Sequence, residues 1–109
     1  MTLDEYQKLA LRTANPGTKK GIPIQLNWAL GLTGETGELI EVVKKHFFHG
    51  HPVDYDKLED EAGDLLWYLA VFANSFGLDL EQIALHNVEK LKKRYPERFS
   101  EERSRNRDE

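Results

Sequence analysis

The chain has 109 residues, of which 31% are charged and 39% hydrophobic, and its net charge at pH 7 is -4. This length predicts a single domain with a modest core, and the acidic balance argues against a general nucleic-acid-binding protein. The absence of cysteine excludes disulfides, thiolate zinc sites and thiol nucleophiles. No apolar run approaches the roughly 20 residues of a membrane span, and residues 1–5 do not resemble a signal peptide. We therefore expect a cytoplasmic protein without a membrane partner.

The first predicted helix runs from Thr2 to about Thr13. Thr2 and Glu5 have the spacing of a capping box, and apolar residues recur behind them at helical intervals. Tyr6 lies on this apolar side, so we expect it in the core with its hydroxyl at water. A role for Tyr6 as a ligand contact is the alternative.

A loop is predicted for residues 15–23, because this stretch is rich in glycine, proline and asparagine. Its two lysines, Lys19 and Lys20, are candidate phosphate contacts. The competing interpretation is that both are solvated lysines on an exposed loop.

The second predicted helix, Ile24 to about Phe48, carries two acids on or beside its apolar stripe. At about 100° per residue, Glu35 falls in the middle of that stripe and Glu38 at its edge. Asn27 lies on the Glu38 side and is a candidate polar contact. The apolar residues within about 60° of Glu35 are Trp28, Leu32, Leu39 and Val42.

Glycines at 31, 34 and 37 interrupt this helix, and each costs about 1 kcal/mol relative to alanine in a helix interior. Such a cost predicts a packing reason. At Gly31 and Gly34 we expect another backbone or a ligand to come close to the helix.

A turn follows at residues 46–52, where three histidines lie beside Gly50 and Pro52. This stretch lacks the fixed spacing of a helical metal site, so we interpret the histidines as ordinary loop residues. Either Asp54 or Asp56 is expected to cap the next helix.

The third predicted helix ends at Gly77 and repeats the arrangement of acids on an apolar stripe. Glu61 is flanked by apolar residues, while Asp64 and Tyr68 follow one border of the stripe. Trp67 projects away from it, which predicts a second buried surface. The residues that flank Glu61 are Leu58, Leu65, Phe72 and Phe76.

A fourth helix is predicted to begin at Asp79 and to end before Pro96. Its predicted core side contains Ile83, Ala84, Val88, Leu91 and Tyr95. A polar line of Asn87, Lys90 and Arg94 runs alongside. This line is either a phosphate-binding face or a solvated basic flank near the helix C-terminus. Residues 1–96 therefore form the predicted domain, and residues 97–109 are a charged tail that we expect to be disordered.

Four carboxylates on the core side of two helices need a counter-charge. Removing an ionised carboxylate from water costs several kcal/mol unless it is paired, protonated or bound to a cation. Oxygen-only ligands select hard cations such as Mg²⁺, with Mn²⁺ as a substitute. The acids Glu35, Glu38, Glu61 and Asp64 thus predict a metal site, and their alternative is a solvated charged surface.

The spacing of these acids carries a resemblance to a known family. Glu35-x-x-Glu38, followed after twenty-two residues by Glu61-x-x-Asp64, resembles the signature of the MazG-like all-α nucleoside triphosphate pyrophosphohydrolases. The similarity extends over residues 24–96 and includes Tyr95 and Pro96. It implies an all-α, four-helix bundle completed by dimerisation, as a homodimer or a dimer of dimers.

The resemblance also implies a reaction: magnesium-dependent cleavage of a nucleoside or deoxynucleoside triphosphate into the monophosphate and pyrophosphate. Glu35, Glu38, Glu61 and Asp64 would hold the metal, which lowers the pKa of an attacking water. We assign the general-base role to Glu38, at the edge of the stripe. The side chains that match nucleotide contacts of the family are Asn27, Tyr68, Asn87, Lys90, Arg94 and Tyr95.

Two other functions fit parts of this pattern. A non-catalytic helical dimerisation or nucleotide-binding module would be stable without metal and indifferent to loss of the acids. A di-iron carboxylate bundle needs Glu-x-x-His on two helices, whereas the fourth residue of each motif here is Glu38 or Asp64.

Overall fold

The computed structural model of the chain describes residues 1–15, 17 and 19–106, and helices are the regular elements in this part. The predicted all-α class is confirmed. The second and fourth predicted helices match closely, and the first and third end about two residues earlier than expected. The elements are α1 (Leu3–Leu11), α2 (Ile24–Phe48), α3 (Tyr55–Ser75), α4 (Leu80–Arg94) and α5 (Glu101–Arg105).

Local signals fix the helix ends as the sequence indicates. The capping box forms at α1, where the Thr2 hydroxyl accepts from the Glu5 amide and the Glu5 carboxylate accepts from the Thr2 amide. Asp54 caps α3 by accepting from the Lys57 amide at 3.0 Å. The chain leaves α3 through Gly77, whose φ of 72° lies in the left-handed region that favours glycine.

The two long helices, α2 and α3, form an antiparallel pair that is the centre of the domain. The Gln25 side chain donates to the Ser75 carbonyl at one end of the pair, and Glu35 meets Glu61 nearer the other end. The core collects at the first of these ends, where α1 also packs. The buried apolar residues are Ala10, Trp28, Ala70, Val71, Ala73 and Leu80.

A buried glutamine, Gln7, joins α1 to α3 and α4 at the core end of the pair. The Gln7 amide donates to the carbonyls of Ala70 and Leu78, and its oxygen accepts from the Leu80 amide. Nearby, the Trp67 indole donates to the Ala10 carbonyl at 3.1 Å. The second buried surface predicted from Trp67 is therefore the contact with α1.

The predicted core face of α4 is only partly buried in this chain taken alone, because Ala84 and Tyr95 are half-buried and the other three residues are exposed. Leu80, at the start of the helix, is buried, whereas Ile83, Val88 and Leu91 are exposed by between 37% and 46%. Within the described part of the chain, α4 contacts α1 and α3, and the Leu80 amide at its start bonds to Gln7 of α1, while these three side chains remain largely uncovered.

The chain is much less compact than its length predicts. Its radius of gyration is 17.4 Å, against about 13 Å for a compact domain of this length. Its accessible surface is 8629 Å², against about 6,200 Å² for a compact monomer of this size. A large apolar surface thus lies open on α2, α3 and α4.

Part of the predicted disordered tail has a local structure. Ser100 caps the five-residue helix α5, and the Tyr95 and Phe99 rings lie 5.2 Å apart. Residues 107–109 and, in the predicted loop, residues 16 and 18 lie outside the described residues. Across the described ranges, no helix has the length and hydrophobicity to cross a bilayer.

Candidate metal centre

Three of the four predicted ligands meet between α2 and α3. Glu35, Glu61 and Asp64 each offer a carboxylate oxygen, and these atoms lie within 4.8 Å of one another. Among the residues that the structure describes, they form the one group of three or more potential metal ligands. The set spans a gradient of exposure, because Glu61 is buried at 9% exposure, Glu35 is half-buried and Asp64 is exposed.

The electrostatics of this cluster are unfavourable without a cation. Burial raises the pKa of Glu35, and the charge of Asp64 raises it further. A hydrogen bond with Glu61, and the charges of Glu61 and Glu38, act in the same direction. Like charges that share a site favour protonation or a bound cation, and either would relieve the repulsion in this cluster.

The close approach of the two helices has a visible cause one turn away. A Cβ atom on Gly31 would overlap the Tyr68 ring, so the missing side chain lets that ring lie against α2. Glu35 lies one turn after Gly31 on α2, and Asp64 lies one turn before Tyr68 on α3. A close approach at Gly31 is confirmed, but the approaching group is the Tyr68 side chain and not the backbone or ligand that we expected. At Gly34, a Cβ atom would meet no described atom within 4 Å, so the expected close approach does not occur there in the described chain.

Glu38, the predicted general base and fourth ligand, lies outside the group of three. It is exposed and lines a groove of about 650 Å³ between the later part of α2 and the start of α3. Its charge nevertheless reaches Glu35 and contributes to the raised pKa of that residue. The structure therefore places Glu38 beside the cluster, on its solvent side.

Helix α1 adds a neighbour that the sequence pattern did not assign to the acids. Burial raises the pKa of the Tyr6 hydroxyl, and the charge of Asp64 raises it further. Tyr6 packs against the core as expected, and its hydroxyl experiences the charge of one of the clustered acids. The apolar spacing of α1 indicated a buried Tyr6, and no local signal indicated which acid it would face.

The candidate nucleotide contacts are dispersed in the single chain. Tyr68 is half-buried, with its ring 4.9 Å from that of Trp67 and 6.3 Å from that of Trp28. Asn27 is exposed on α2, and Asn87 and Lys90 are exposed on α4. Arg94 and Tyr95 are half-buried at the end of α4.

The donor set fits a hard divalent cation. Every donor of the cluster is a carboxylate oxygen, which matches Mg²⁺ and Mn²⁺ better than zinc or copper. The histidines at 46–51 are divided between helix and loop: His46 lies in the last turn of α2, which corrects its prediction as a loop residue, whereas His49 and His51 follow the helix as expected. The His46 ring nitrogen Nδ1 donates to the backbone carbonyl of His51 at 2.8 Å.

Comparison with known proteins gives two matches. The family model of the MazG nucleotide pyrophosphohydrolase domain matches residues 25–99. The chain is 36% identical over 101 residues to the Gene 37 protein of Mycobacterium phage L5, with 86% of this chain and 89% of that protein covered. No solved structure matches the chain. The matched region contains all three clustered acids and Glu38.

Proposed function

The chain belongs to the MazG nucleotide pyrophosphohydrolase family, and from this premise we propose that it hydrolyses nucleoside or deoxynucleoside triphosphates. The products are the monophosphate and pyrophosphate, and the reaction depends on Mg²⁺, for which Mn²⁺ can substitute. The observation that carries this proposal is the group of three carboxylates between α2 and α3. The cytoplasmic location expected from the sequence belongs to the same proposal.

The three clustered acids have the role of metal ligands in this proposal. Glu35, Glu61 and Asp64 would hold the cation between the two helices. A divalent cation there supplies charge neutralisation for phosphate oxygens and lowers the pKa of a water molecule. The burial of Glu61 excludes water from one side of the cluster, which strengthens electrostatic interactions at that side.

Glu38 is our candidate for the general base. It stands on the solvent side of the cluster, where water has access, and its carboxylate would accept the proton of the attacking water. From the same position Glu38 would also serve as the fourth metal ligand, beside Glu35, Glu61 and Asp64.

We propose a homodimer, or a dimer of dimers, as the active assembly. The excess of accessible surface over that of a compact monomer amounts to about 2,400 Å², which is of the order buried in a stable interface. Large apolar side chains contribute to it on three helices. They include Leu30, Ile40, Phe47, Leu66, Leu69, Ile83, Val88 and Leu91.

A partner subunit also explains how the dispersed contacts would reach the substrate. Asn87, Lys90 and Arg94 lie on the same helix as the uncovered apolar face of α4. Association through that face would carry an amide and two cations toward an acid cluster. We propose that these residues, with Asn27, Tyr68 and Tyr95, contact the nucleotide in the assembly.

The direct test is a product assay. The protein is incubated with each canonical NTP and dNTP, with and without Mg²⁺, and the products are separated by ion-exchange chromatography. We expect the monophosphate and pyrophosphate to form only when Mg²⁺ is present. Diphosphate with orthophosphate would contradict the bond assignment, and no turnover of any nucleotide would favour a non-catalytic dimerisation or nucleotide-binding module.

A further inference from the structure

The contact between Gly31 and Tyr68 lies one helical turn from the acid cluster on both helices. Gly31 precedes Glu35 by four residues on α2, and Tyr68 follows Asp64 by four residues on α3. Because the two helices are antiparallel, the acids lie on the same side of this contact, about 6 Å along each helix. The contact therefore fixes the distance between α2 and α3 next to the proposed metal ligands.

This contact leaves no room for a side chain on α2. A Cβ atom on Gly31 would overlap three atoms of the Tyr68 ring, Cδ1, Cε1 and Cζ. The edge of the ring thus lies directly against the backbone of α2. Even a methyl group at position 31 would have to move either the ring or the helix.

The Tyr68 ring is supported from behind. The Trp67 ring lies 4.9 Å from it at an angle of 88°, and the Trp28 ring lies 6.3 Å away. Trp67 is itself tied to α1, because its indole donates to the Ala10 carbonyl at 3.1 Å and to the Thr13 hydroxyl at 2.9 Å. Closely packed side chains transmit strain to their neighbours. The ring therefore acts as a spacer of fixed thickness between α2 and α3.

The other side of the acid cluster is open. A groove of about 650 Å³ separates the later part of α2 from the start of α3, with Val42 and Tyr55 among its walls. Glu38, three residues after Glu35, lines this groove. The acids thus lie between a tight contact and an open groove. In the described chain, the spacing of the two helices at the acids is therefore governed from the side of Tyr68.

The spacing of the two helices matters because the proposed ligands come from both. Glu35 belongs to α2, whereas Glu61 and Asp64 belong to α3, and their oxygens lie within 4.8 Å of one another. Mg²⁺ holds oxygen ligands at about 2.0–2.1 Å in a near-ideal octahedron, and Ca²⁺ holds them at about 2.3–2.6 Å in a flexible geometry. A displacement of α2 by about 0.5 Å is therefore enough to change which cation fits.

We propose that Gly31 and Tyr68 are positioning residues that set the cation-size selectivity of the metal centre, with the Tyr68 ring on Gly31 holding the two helices at the spacing that favours Mg²⁺ over Ca²⁺. This inference rests on the proposed function, to which it adds the origin of the metal preference. The role needs the ring of Tyr68 and not its hydroxyl. It is measured without nucleotide, so it is separate from the nucleotide contact proposed for Tyr68.

The first test is metal binding by the Gly31→Ala protein in the absence of nucleotide. Electron paramagnetic resonance of free Mn²⁺ gives the Mn²⁺ affinity, and displacement of Mn²⁺ gives the affinities for Mg²⁺ and Ca²⁺. We expect Mg²⁺ binding to weaken about tenfold and Ca²⁺ binding by less than about threefold, because Ca²⁺ tolerates a wider site. Gly34→Ala is the matched control: it lies next to Glu35, meets no described atom within 4 Å, and should leave the Ca²⁺ to Mg²⁺ affinity ratio unchanged.

Variants of Tyr68 separate the spacer from other effects. Tyr68→Phe keeps the ring and should bind both cations as the wild type does. Tyr68→Ala removes the spacer without overpacking and should raise the Ca²⁺ to Mg²⁺ affinity ratio, so it tests the proposal even if Gly31→Ala does not fold. In the Tyr68→Ala background, Gly31→Ala should have little further effect, because the ring that it would overlap is gone.

The affinity ratio distinguishes positioning from a loss of stability. Unfolded molecules lower the number of binding sites, which circular dichroism accounts for, but leave the affinities of the folded molecules unchanged. An unchanged ratio in both Gly31→Ala and Tyr68→Ala would overturn the proposal, and so would an altered ratio in Tyr68→Phe. Equal effects of Gly31→Ala with and without the Tyr68 ring would also overturn it.

The same titrations distinguish failure of this inference from failure of the proposed function. Saturable Mn²⁺ binding by the wild type, with the same affinity ratio in the wild type, Gly31→Ala and Tyr68→Ala, would overturn the positioning role and leave the proposed hydrolysis standing. Absence of saturable binding by the wild type would overturn the metal centre itself and this inference with it.

Discussion

The two ends of the α2–α3 pair are built on opposite principles. At the core end, Trp28 and Val71 are buried, and polar groups such as Gln7 have their hydrogen bonds satisfied. At the acid end, Glu35, Glu61 and Asp64 converge without a neutralising group among them, and burial and mutual repulsion raise the pKa of Glu35.

This difference indicates which end stabilises the fold and which end carries the proposed site. Buried apolar surface and satisfied hydrogen bonds stabilise a domain, whereas clustered carboxylates cost free energy until a cation arrives. Substitutions at the core end should therefore lower stability. Conservative substitutions at the acid end should remove function and leave the metal-free fold as stable as before or more so.

The largest effect is expected from Glu61→Gln, which keeps the shape of the side chain and removes its charge. We expect hydrolysis to fall by about 10³-fold, while the melting temperature of the metal-free protein stays the same or rises. Glu59→Gln, an exposed change on the same helix, is the matched control. A large loss of stability in Glu61→Gln, or retained activity, would break the contrast between the two ends.

The next effect is expected at the core end, from Gln7→Leu. This change removes three hydrogen bonds and leaves the polar groups of Ala70, Leu78 and Leu80 without their side-chain partner. We expect a loss of roughly 3 kcal/mol in the free energy of unfolding, measured by urea denaturation. Gln25→Leu removes one part-buried bond and should cost about 1 kcal/mol. Equal losses in the two variants would contradict the role of Gln7 as the joint of three helices.

A third prediction concerns the contact that joins the two ends. Gly31→Ala forces a methyl group into the Tyr68 ring, and overpacking of this kind costs about 1–3 kcal/mol. Gly34→Ala meets open space among the described residues and should stabilise α2 by up to about 1 kcal/mol. Opposite signs in thermal denaturation would confirm the difference. Destabilisation by Gly34→Ala would show that another chain covers this part of α2.

The smallest effect is expected where α1 meets the start of α4, and it depends on pH. A hydrogen bond with Asp79, followed by burial and the charges of Asp79 and Glu81, raises the pKa of Asp4 to about 6. The folded protein binds the Asp4 proton more tightly than the unfolded chain does. Protonated Asp4 therefore stabilises the fold below pH about 4, and this stabilisation is lost as pH rises through about 6. Asp4→Asn should reduce the dependence of the urea midpoint on pH over this range, whereas Glu89→Gln should leave that dependence unchanged. An unchanged pH dependence in Asp4→Asn would contradict the raised pKa of Asp4 and its hydrogen bond with Asp79.

The sequence predicted the helices and the three acids that cluster between α2 and α3, because both rest on local periodicity. Capping residues and turn formers marked the helix ends, and acids three residues apart fell on facing stripes. The sequence did not predict which side chains would come together when the helices packed. The placement of Tyr68 against Gly31, the three bonds of Gln7 and the approach of Tyr6 to Asp64 depend on how the helices cross, and no spacing along one helix encodes that. The exposed face of α4 was misjudged for a related reason, since an apolar stripe indicates burial without saying which chain buries it.

The central claim, that Glu35, Glu61 and Asp64 together hold a divalent cation, is tested most directly by titrating the metal-free protein with Mn²⁺. Electron paramagnetic resonance of the free ion measures the bound fraction in the absence of any nucleotide. We predict saturable binding to the wild type and to Glu59→Gln, and its loss in Glu61→Gln. Equal binding by the wild type and Glu61→Gln would contradict the account, because the buried carboxylate at the centre of the cluster would then have no part in holding the metal.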